Sequence, residues 1–250
     1  MIIFESFYDM KNHKIMKINS GLLLAVALVS VLQTVRAADI TGSITLKGTP
    51  PPEKEITPLT ADATCGKLHT TPAKTQFYVV GSKGELADVV VSIKDMSGKS
   101  TGASATAVVM DQVGCLYTPT ILAVQTNQKI QVKNSDPVMH NVHPTPSAAS
   151  GNKEANQAQM QGGAPITFTF EKPEMFLKFA CNVHPWMFAW ASVFDHPYFA
   201  VSGKDGTFKI ANVPPGKYTV EAHHRKAGVV SKEVEVKDQN VTADFTVEVK

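Results

Sequence analysis

The segment Cys181-Asn-Val-His-Pro-Trp-Met187 places a thiol, an imidazole and a thioether close together in the chain, and a second imidazole, His140, precedes it. One thiolate, two imidazoles and a weak thioether are the ligands that copper uses in sites that change between Cu(I) and Cu(II). Zinc more often takes further cysteines or a carboxylate, and calcium and magnesium take oxygen ligands. The pattern therefore predicts a type 1 copper site, with these four ligands: His140, Cys181, His184 and Met187.

Strand-like segments lie on both sides of these ligands. Residues 176–180 are apolar and aromatic, so we expect a strand that ends just before Cys181, and residues 188–194 predict the next strand. Pro185 ends regular structure after the histidine. His140 follows a third strand-like segment, residues 129–134, and a turn. A compact loop can therefore bring Cys181, His184 and Met187 to one point, while His140 arrives from another strand.

Two motifs resemble the cupredoxins, and most closely amicyanin and the methylamine-utilisation type of blue copper protein. His140-Asn-Val-His143 resembles the first-ligand segment of that family, and Cys181-x2-His184-x2-Met187 resembles its compact ligand loop. The resemblance implies that the four residues named above bind one copper ion. It also implies that Asn141 ties the two ligand loops together and that Pro185 follows the second imidazole. His143 is expected to be structural or solvated.

The resemblance covers roughly residues 105–196 and implies a carrier of single electrons, not an enzyme. A multicopper oxidase needs further histidine pairs, and a binuclear centre needs a second cysteine in the loop. We expect one edge of the His184 ring to reach solvent, and a redox protein to dock on an apolar patch near His184, Pro185 and Trp186. The alternative is a copper-binding or delivery protein, or a surface β-sandwich module, whose copper does not cycle. Residues 148–164 depart from the family pattern and predict a long loop.

The C-terminal part has a signature of its own. Asp205-Gly-Thr-Phe and the later Pro-Pro-Gly-Lys-Tyr218 resemble a carboxypeptidase regulatory-like sandwich of the immunoglobulin or transthyretin type. The two opening strands expected of that family, residues 40–46 and 87–93, lie before the copper segment. We therefore predict a discontinuous sandwich of residues 38–104 and 198–250, with a cupredoxin-like domain, 105–197, inserted in it. The alternative is two consecutive domains that meet near residues 196–197.

The predicted fold class is all-β. Short alternating or apolar segments recur between Gly, Pro and Asn turns, and no helical period stands out after residue 37. Two stacked antiparallel sheets bury such strands economically. We expect a cupredoxin-like Greek-key β-sandwich together with the second, regulatory-like β-sandwich.

Residues 1–37 predict a signal peptide. Lys11, Lys14 and Lys17 precede an apolar stretch, residues 21–32, and Ala37 suits cleavage after a small residue. The apolar stretch is shorter than the roughly 20 residues of a membrane-spanning helix. We therefore expect a periplasmic or secreted protein without a transmembrane anchor in its mature chain. Translation begins at Met1 or at Met16.

Charge and cysteine content agree with export. The chain has 24 Lys+Arg and 22 Asp+Glu, and removal of residues 1–37 takes away four and two of these, so the mature chain is neutral. No basic surface for nucleic acid is expected. An odd number of cysteines leaves one thiol to explain. If Cys181 is the copper thiolate, Cys65 and Cys115 can form a disulfide; the alternative is two separate thiols.

Overall fold

The computed structural model describes residues 36–250, and this part of the chain consists almost wholly of strands and connecting turns. The helical elements are α1 (Thr57–Ala61) and two 3₁₀ turns (Cys65–Leu68 and Gly102–Ser104). The strands are β1 (Ala38–Lys47), β2 (Val90–Ile93), β3 (Val108–Gln112), β4 (Tyr117–Thr118), β5 (Ile121–Gln125), β6 (Ile130–Asn134), β7 (His140–Thr145), β8 (Gln157–Gln159), β9 (Ile166–Phe168), β10 (Glu174–Ala180), β11 (Phe188–Phe194), β12 (Phe199–Val201), β13 (Thr207–Val213), β14 (Gly216–His224), β15 (Gly228–Val236), β16 (Val241–Thr242) and β17 (Phe245–Glu248). The predicted all-β class is confirmed.

Two of the sheets combine strands from both ends of the described chain. In one sheet β1 pairs antiparallel with β13 and parallel with β16 and β17. In the other, β2 lies between β12 and β14, and β14 also pairs with β15. β1 and β2 precede the predicted ligand residues in sequence, whereas all of their partner strands follow them. An insertion of residues 105–197 between these strands would produce this pairing.

The other two sheets carry the ligand residues. Their strand orders are β5-β11-β10-β7-β8 and β4-β3-β6-β9. β11 lies between β5 and β10 and is buried along most of its length, which explains its continuous apolar sequence. β10 instead alternates between buried and more exposed residues up to Ala180, as a strand with one solvated face does.

Each pair of sheets encloses its own apolar core. The β1 and β2 sheets enclose a first core, which includes Ile40, Ile44, Val91, Ile210 and Val220. The other two sheets enclose a second core, which includes Met110, Val132, Leu177, Phe179 and Ala189. A smaller cluster of Val90, Ile121, Trp190 and Phe194 joins strands of the two halves. The arrangement fits the predicted β-sandwiches.

Three segments differ from their sequence-based boundaries. The strand predicted over residues 87–93 begins only at Val90, because Asp88 has a left-handed backbone (φ 59°) that interrupts a strand. Leu59 and Cys65, predicted within the regulatory-like sandwich, are buried in the second core instead, where their apolar side chains find partners. The loop predicted over residues 148–164 contains the short strand β8, which pairs with β7.

The predicted signal peptide lies almost entirely outside the described residues. Within residues 36–250, no helix is long and apolar enough to cross a membrane.

Candidate metal centre

The four predicted ligands are delivered by strand ends that meet at one end of the second core. β7 begins at His140, and β10 ends one residue before Cys181. The two strands pair antiparallel, with Ala180 opposite His143, so the start of one lies near the end of the other. The loop from Cys181 to Met187 then closes on itself. The N–H of Cys181 donates to the Met187 carbonyl (3.2 Å), and the N–H of Met187 donates to the His184 carbonyl (2.9 Å).

The side chains of three predicted ligands converge on one point. Nδ1 of His140 lies 2.9 Å from Nδ1 of His184, and Sγ of Cys181 lies 3.7 Å from the same His184 atom. Ligating atoms of all three residues lie within 4.8 Å of one another. The Met187 side chain is fully buried in the same core as Cys181. Two nitrogens and a sulfur at such separations can share one metal ion.

Asn141 links the two ligand segments through its side chain and its backbone. Its Oδ1 accepts hydrogen bonds from the N–H groups of Asn182 (2.6 Å) and Val183 (3.3 Å). Its own N–H points at the Cys181 sulfur, at 3.5 Å, and its Nδ2 donates to Asn156 (2.6 Å). The loop is therefore held against β7 next to the thiolate, which is the place that the resemblance implied for this residue.

Asp136 holds His140 from the side opposite the centre. The carboxylate accepts from Nε2 of His140 (2.9 Å) and from the N–H groups of Gly114 (2.6 Å) and Cys115 (2.8 Å). Because Nε2 carries the proton in this hydrogen bond, the lone pair of the neutral ring is on Nδ1, which faces His184. Carboxylates commonly fix metal-binding histidines in this way. The donor set and its orientation thus fit a soft or borderline transition metal.

At Cys181 and His184 the pKa shifts favour the metal-binding form. Burial acts to raise the pKa of the Cys181 thiol, but hydrogen bonds from His140 and from the N–H groups of Asn141, His184 and Val183 outweigh it, so the pKa is lowered. A thiolate is the form of cysteine that binds metals. Burial, followed by the charge of His140, lowers the pKa of His184, which keeps that imidazole neutral and able to bind.

Burial also acts to lower the pKa of His140, but hydrogen bonds with Asp136 and Cys181 reverse the direction and raise it. A proton therefore competes with a metal for this histidine more strongly than for His184. Metal binding at this ring must displace the proton that the two neighbouring anions favour.

The structure does not place the His184 ring edge in solvent, contrary to expectation. His184 is only 8% exposed, because the segment 56–69, which we call the cap, lies over it. A carboxylate oxygen of Asp62 and the sulfur of Cys65, both in the cap, lie within 4.8 Å of a His184 ring nitrogen. The cap is anchored by Leu59, which is fully buried in the second core. The burial of His184 thus depends on the packing of the cap against that core, which no local sequence pattern reveals.

A disulfide attaches the cap beside the centre. Cys65 and Cys115 are bonded, as predicted, and Cys181 is unpaired and buried. The sulfur of Cys115 lies within 4.8 Å of both Asp136 and His140, so the crosslink adjoins both imidazoles of the site. The indole of Trp186 donates to the Cys115 carbonyl (3.1 Å).

The expected apolar docking patch is thereby reduced. Trp186 is partly buried against the disulfide loop, and His184 lies under the cap, whereas Pro185 is exposed. Val183, which was not part of the expected patch, is 48% exposed. The most exposed apolar residues of the ligand loop are thus Val183 and Pro185.

His143 lies outside the convergent group. Its two ring nitrogens contact Asn182 (2.9 Å) and Glu154 (2.5 Å), and the hydrogen bond with Glu154, then that with Asn182, raise its pKa. Sequence reasoning missed Asp136 and Asp62. Asp136 lies in the turn before His140, and its position four residues before a predicted ligand histidine was an available signal. For Asp62 the sequence offered no signal.

Comparison with known proteins relates the two halves to different groups. The family model described as "BOS complex subunit NOMO1-like, second beta sandwich domain" matches residues 198–250. Among solved structures, a methionine-to-alanine mutant of amicyanin in the Cu(I) state is 20% identical, with a TM-score of 0.31; the match covers 41% of this chain and 97% of amicyanin. No curated protein matches the chain.

A copper-containing nitrite reductase from Thermus scotoductus SA-01 is 19% identical, with a TM-score of 0.32. That match covers 36% of this chain and 23% of the reductase, so this chain corresponds to less than a quarter of the enzyme's length.

Proposed function

We propose that the protein is an exported electron carrier with one type 1 copper ion. The observation that carries this proposal is the convergence of the His140, His184 and Cys181 donor atoms beside a buried Met187. A trigonal site of two histidines and one cysteine with a weak methionine ligand is the arrangement of blue copper electron-transfer centres. Bound copper would supply reversible one-electron chemistry.

The surrounding residues support cycling because they fix the donors from several directions. Asn141 binds the ligand loop, Asp136 orients His140, and the cap covers His184. Donors held in this way move little when the charge at the centre changes. The reduction potential of the bound copper would depend on the hydrogen bonds to the Cys181 sulfur and on the burial of the site.

The same geometry argues against a catalytic role. Catalytic metal sites keep one position open for water or substrate. Here the four predicted donors all come from the protein, and each of these residues is at most 8% exposed. We therefore propose a carrier and not an enzyme.

The partner in this proposal is another redox protein. Weak electron-transfer encounters use small interfaces, and the exposed Val183 and Pro185 provide a small apolar surface beside Cys181 and His184. The Cys65–Cys115 disulfide supports an oxidising location such as the periplasm or the exterior.

The visible absorption spectrum of the Cu(II)-loaded protein tests the proposal. We expect an intense thiolate-to-copper band that ascorbate bleaches and ferricyanide restores. The band should be absent in Cys181→Ala and unchanged in His223→Ala, a control histidine that pairs with Glu221 in the other half. A colourless protein that still binds Cu(I) would support the copper-delivery alternative, and one that binds no copper would leave only a β scaffold.

A further inference from the structure

Two exposed methionines lie next to the buried centre and take no part in it. Met139 directly precedes the predicted ligand His140, and its side chain is 37% exposed; Met160 is 66% exposed. Their immediate neighbours in sequence, His140 and Gln159, are 0% and 2% exposed. The chain therefore turns its polar residues inward at this point and its two thioethers outward.

The two methionines are the first residues beyond the paired part of β7 and β8, on the same end of both strands. β7 and β8 pair antiparallel, with His140 opposite Gln159. One further step along both chains brings Met139 opposite Met160. Within the ladder, residues directly opposite each other have Cβ atoms about 4.5–5.5 Å apart. Two long, flexible thioether side chains that continue this register can therefore close around one ion.

A hydrogen-bonded amide shows that the chains stay together beyond the last strand residues. Nδ2 of Asn134 donates to the carbonyls of Val138 (2.9 Å) and Gln159 (3.1 Å). These two carbonyls belong to the peptide groups whose nitrogens are those of Met139 and Met160. The side-chain amide of Asn134 thus holds the backbone on the N-terminal side of both methionines. The methionine side chains are exposed.

The backbone after Met160 is fixed as well. The N–H of Gly163 donates to the Met160 carbonyl (3.0 Å) in a turn. Gln159, just before it, is held by hydrogen bonds from Gln112 (2.6 Å) and to Val132 (2.9 Å). A site on these residues would lose little backbone freedom when it takes a ligand.

We propose that Met139 and Met160 form a surface site for Cu(I) through which copper enters the buried centre. Thioethers are soft ligands that select Cu(I) among the metals available to an exported protein. The predicted donors are almost fully buried, so an ion on its way to them first meets the surface around them. The binding site itself requires only the two thioethers; its role in entry rests on the proposed copper function.

Competition for Cu(I) with the chromophoric chelator bicinchoninate, under anaerobic conditions with ascorbate, tests the binding site. We expect the wild type to take one more equivalent of Cu(I) than Met139→Leu/Met160→Leu. Leucine keeps the size and apolar character of an exposed side chain, so the fold should persist. Met175→Leu is the matched control, because Met175 is also 37% exposed but lies near the start of β10. Equal stoichiometry in wild type and double variant would overturn the site.

The rate of loading tests the entry role. Protein is mixed with Cu(I), samples are oxidised with ferricyanide after increasing times, and the blue band reports the copper in the centre. We expect the double variant to load more slowly than both the wild type and Met175→Leu. An unchanged rate, with the extra equivalent lost, would overturn the entry role.

Repetition in a Cys181→Ala background separates this inference from the proposed function. The methionine-dependent equivalent should persist there, although the blue band is lost. If the wild type forms no blue band but the methionine-dependent equivalent is present, the electron-carrier proposal and the entry role fail and the surface site stands. If the blue band forms without that equivalent, only the present inference fails.

Discussion

At the scale of single residues, one buried carboxylate connects the predicted ligand His140 to the disulfide loop. Asp136 is 3% exposed, and it accepts from the His140 ring and from two backbone N–H groups. A buried charged acceptor is stabilised only when it is fully hydrogen-bonded. Its geometry is therefore well determined, and so is the orientation of the imidazole that it holds.

Asp136→Asn should weaken copper binding. The amide has nearly the same shape but only one acceptor oxygen and no charge, so it cannot hold His140 and both N–H groups as the carboxylate does. Loss of such an outer partner usually costs about 10–100-fold in metal affinity, and we expect a decrease of that order in a chelator competition. Asp205→Asn, in an exposed turn, is the control. An affinity equal to that of the wild type would contradict the role given to Asp136.

A second prediction at this scale concerns acid stability. Burial, followed by the charge of Arg225, lowers the pKa of His224 to about 4, against 6.5 for the unfolded chain. Between pH 6.5 and about pH 4, His224 is protonated in the unfolded state but stays neutral in the folded state. The free energy of unfolding should therefore decrease from about pH 6.5 to pH 4, by ~3 kcal/mol at most.

Urea unfolding of the metal-free protein at pH 7.5, 5.5 and 4.5 measures this decrease. His224→Gln should flatten the dependence on pH, whatever its effect on stability at pH 7.5. A variant with the same slope as the wild type would show that other groups cause the loss.

At the scale of elements, the cap covers one side of the centre. It contributes Leu59 to the second core, and Cys65 connects it to Cys115. His69 makes a further contact, with Nε2 at 2.7 Å from the Gly114 carbonyl. A short helix and a 3₁₀ turn have little stability of their own. These contacts and the disulfide therefore hold the cap over His184.

Cys65→Ser/Cys115→Ser should loosen the cap and destabilise the fold. A native disulfide in a small exported domain contributes about 2–5 kcal/mol, so we expect a decrease of that order in the free energy of unfolding. Copper should also leave faster, because solvent and chelators gain access to His184. Stopped-flow extraction by a chelator measures the rate. Equal rates with and without the disulfide would show that the cap does not control access; Met175→Leu again serves as the control.

At the scale of the whole molecule, β1 and β2 pair with strands that follow the predicted ligand residues in sequence. Ile44 pairs with Phe245, and Val91 pairs with Ala222. The two halves also touch where Arg225 lies 3.5 Å above the Trp190 ring, a separation that gives a favourable cation–π contact.

Truncation after residue 197 tests the inserted arrangement. The shortened chain lacks every strand that pairs with β1 and β2, so the apolar residues of the first core lose their cover. We expect residues 38–104 to aggregate or to be proteolysed rapidly on truncation. Far-UV circular dichroism and limited proteolysis, each compared with the 38–250 chain, measure this. A stable, protease-resistant fragment would favour two consecutive domains.

The chain order of the ligands and the strand content followed from the sequence by itself. Cys181, His184 and Met187 lie in one short loop between two apolar segments, and such local spacing restricts what the donors can reach. The pairing of Cys65 with Cys115 was predicted on the condition that Cys181 is the metal thiolate, and the tertiary structure decided against two separate thiols. The tertiary structure decided what lies around the centre: the cap over His184, Asp136 behind His140, and the outward pair Met139 and Met160. These relations join residues distant in sequence, and long-range packing and strand register, which leave no local pattern, determine them.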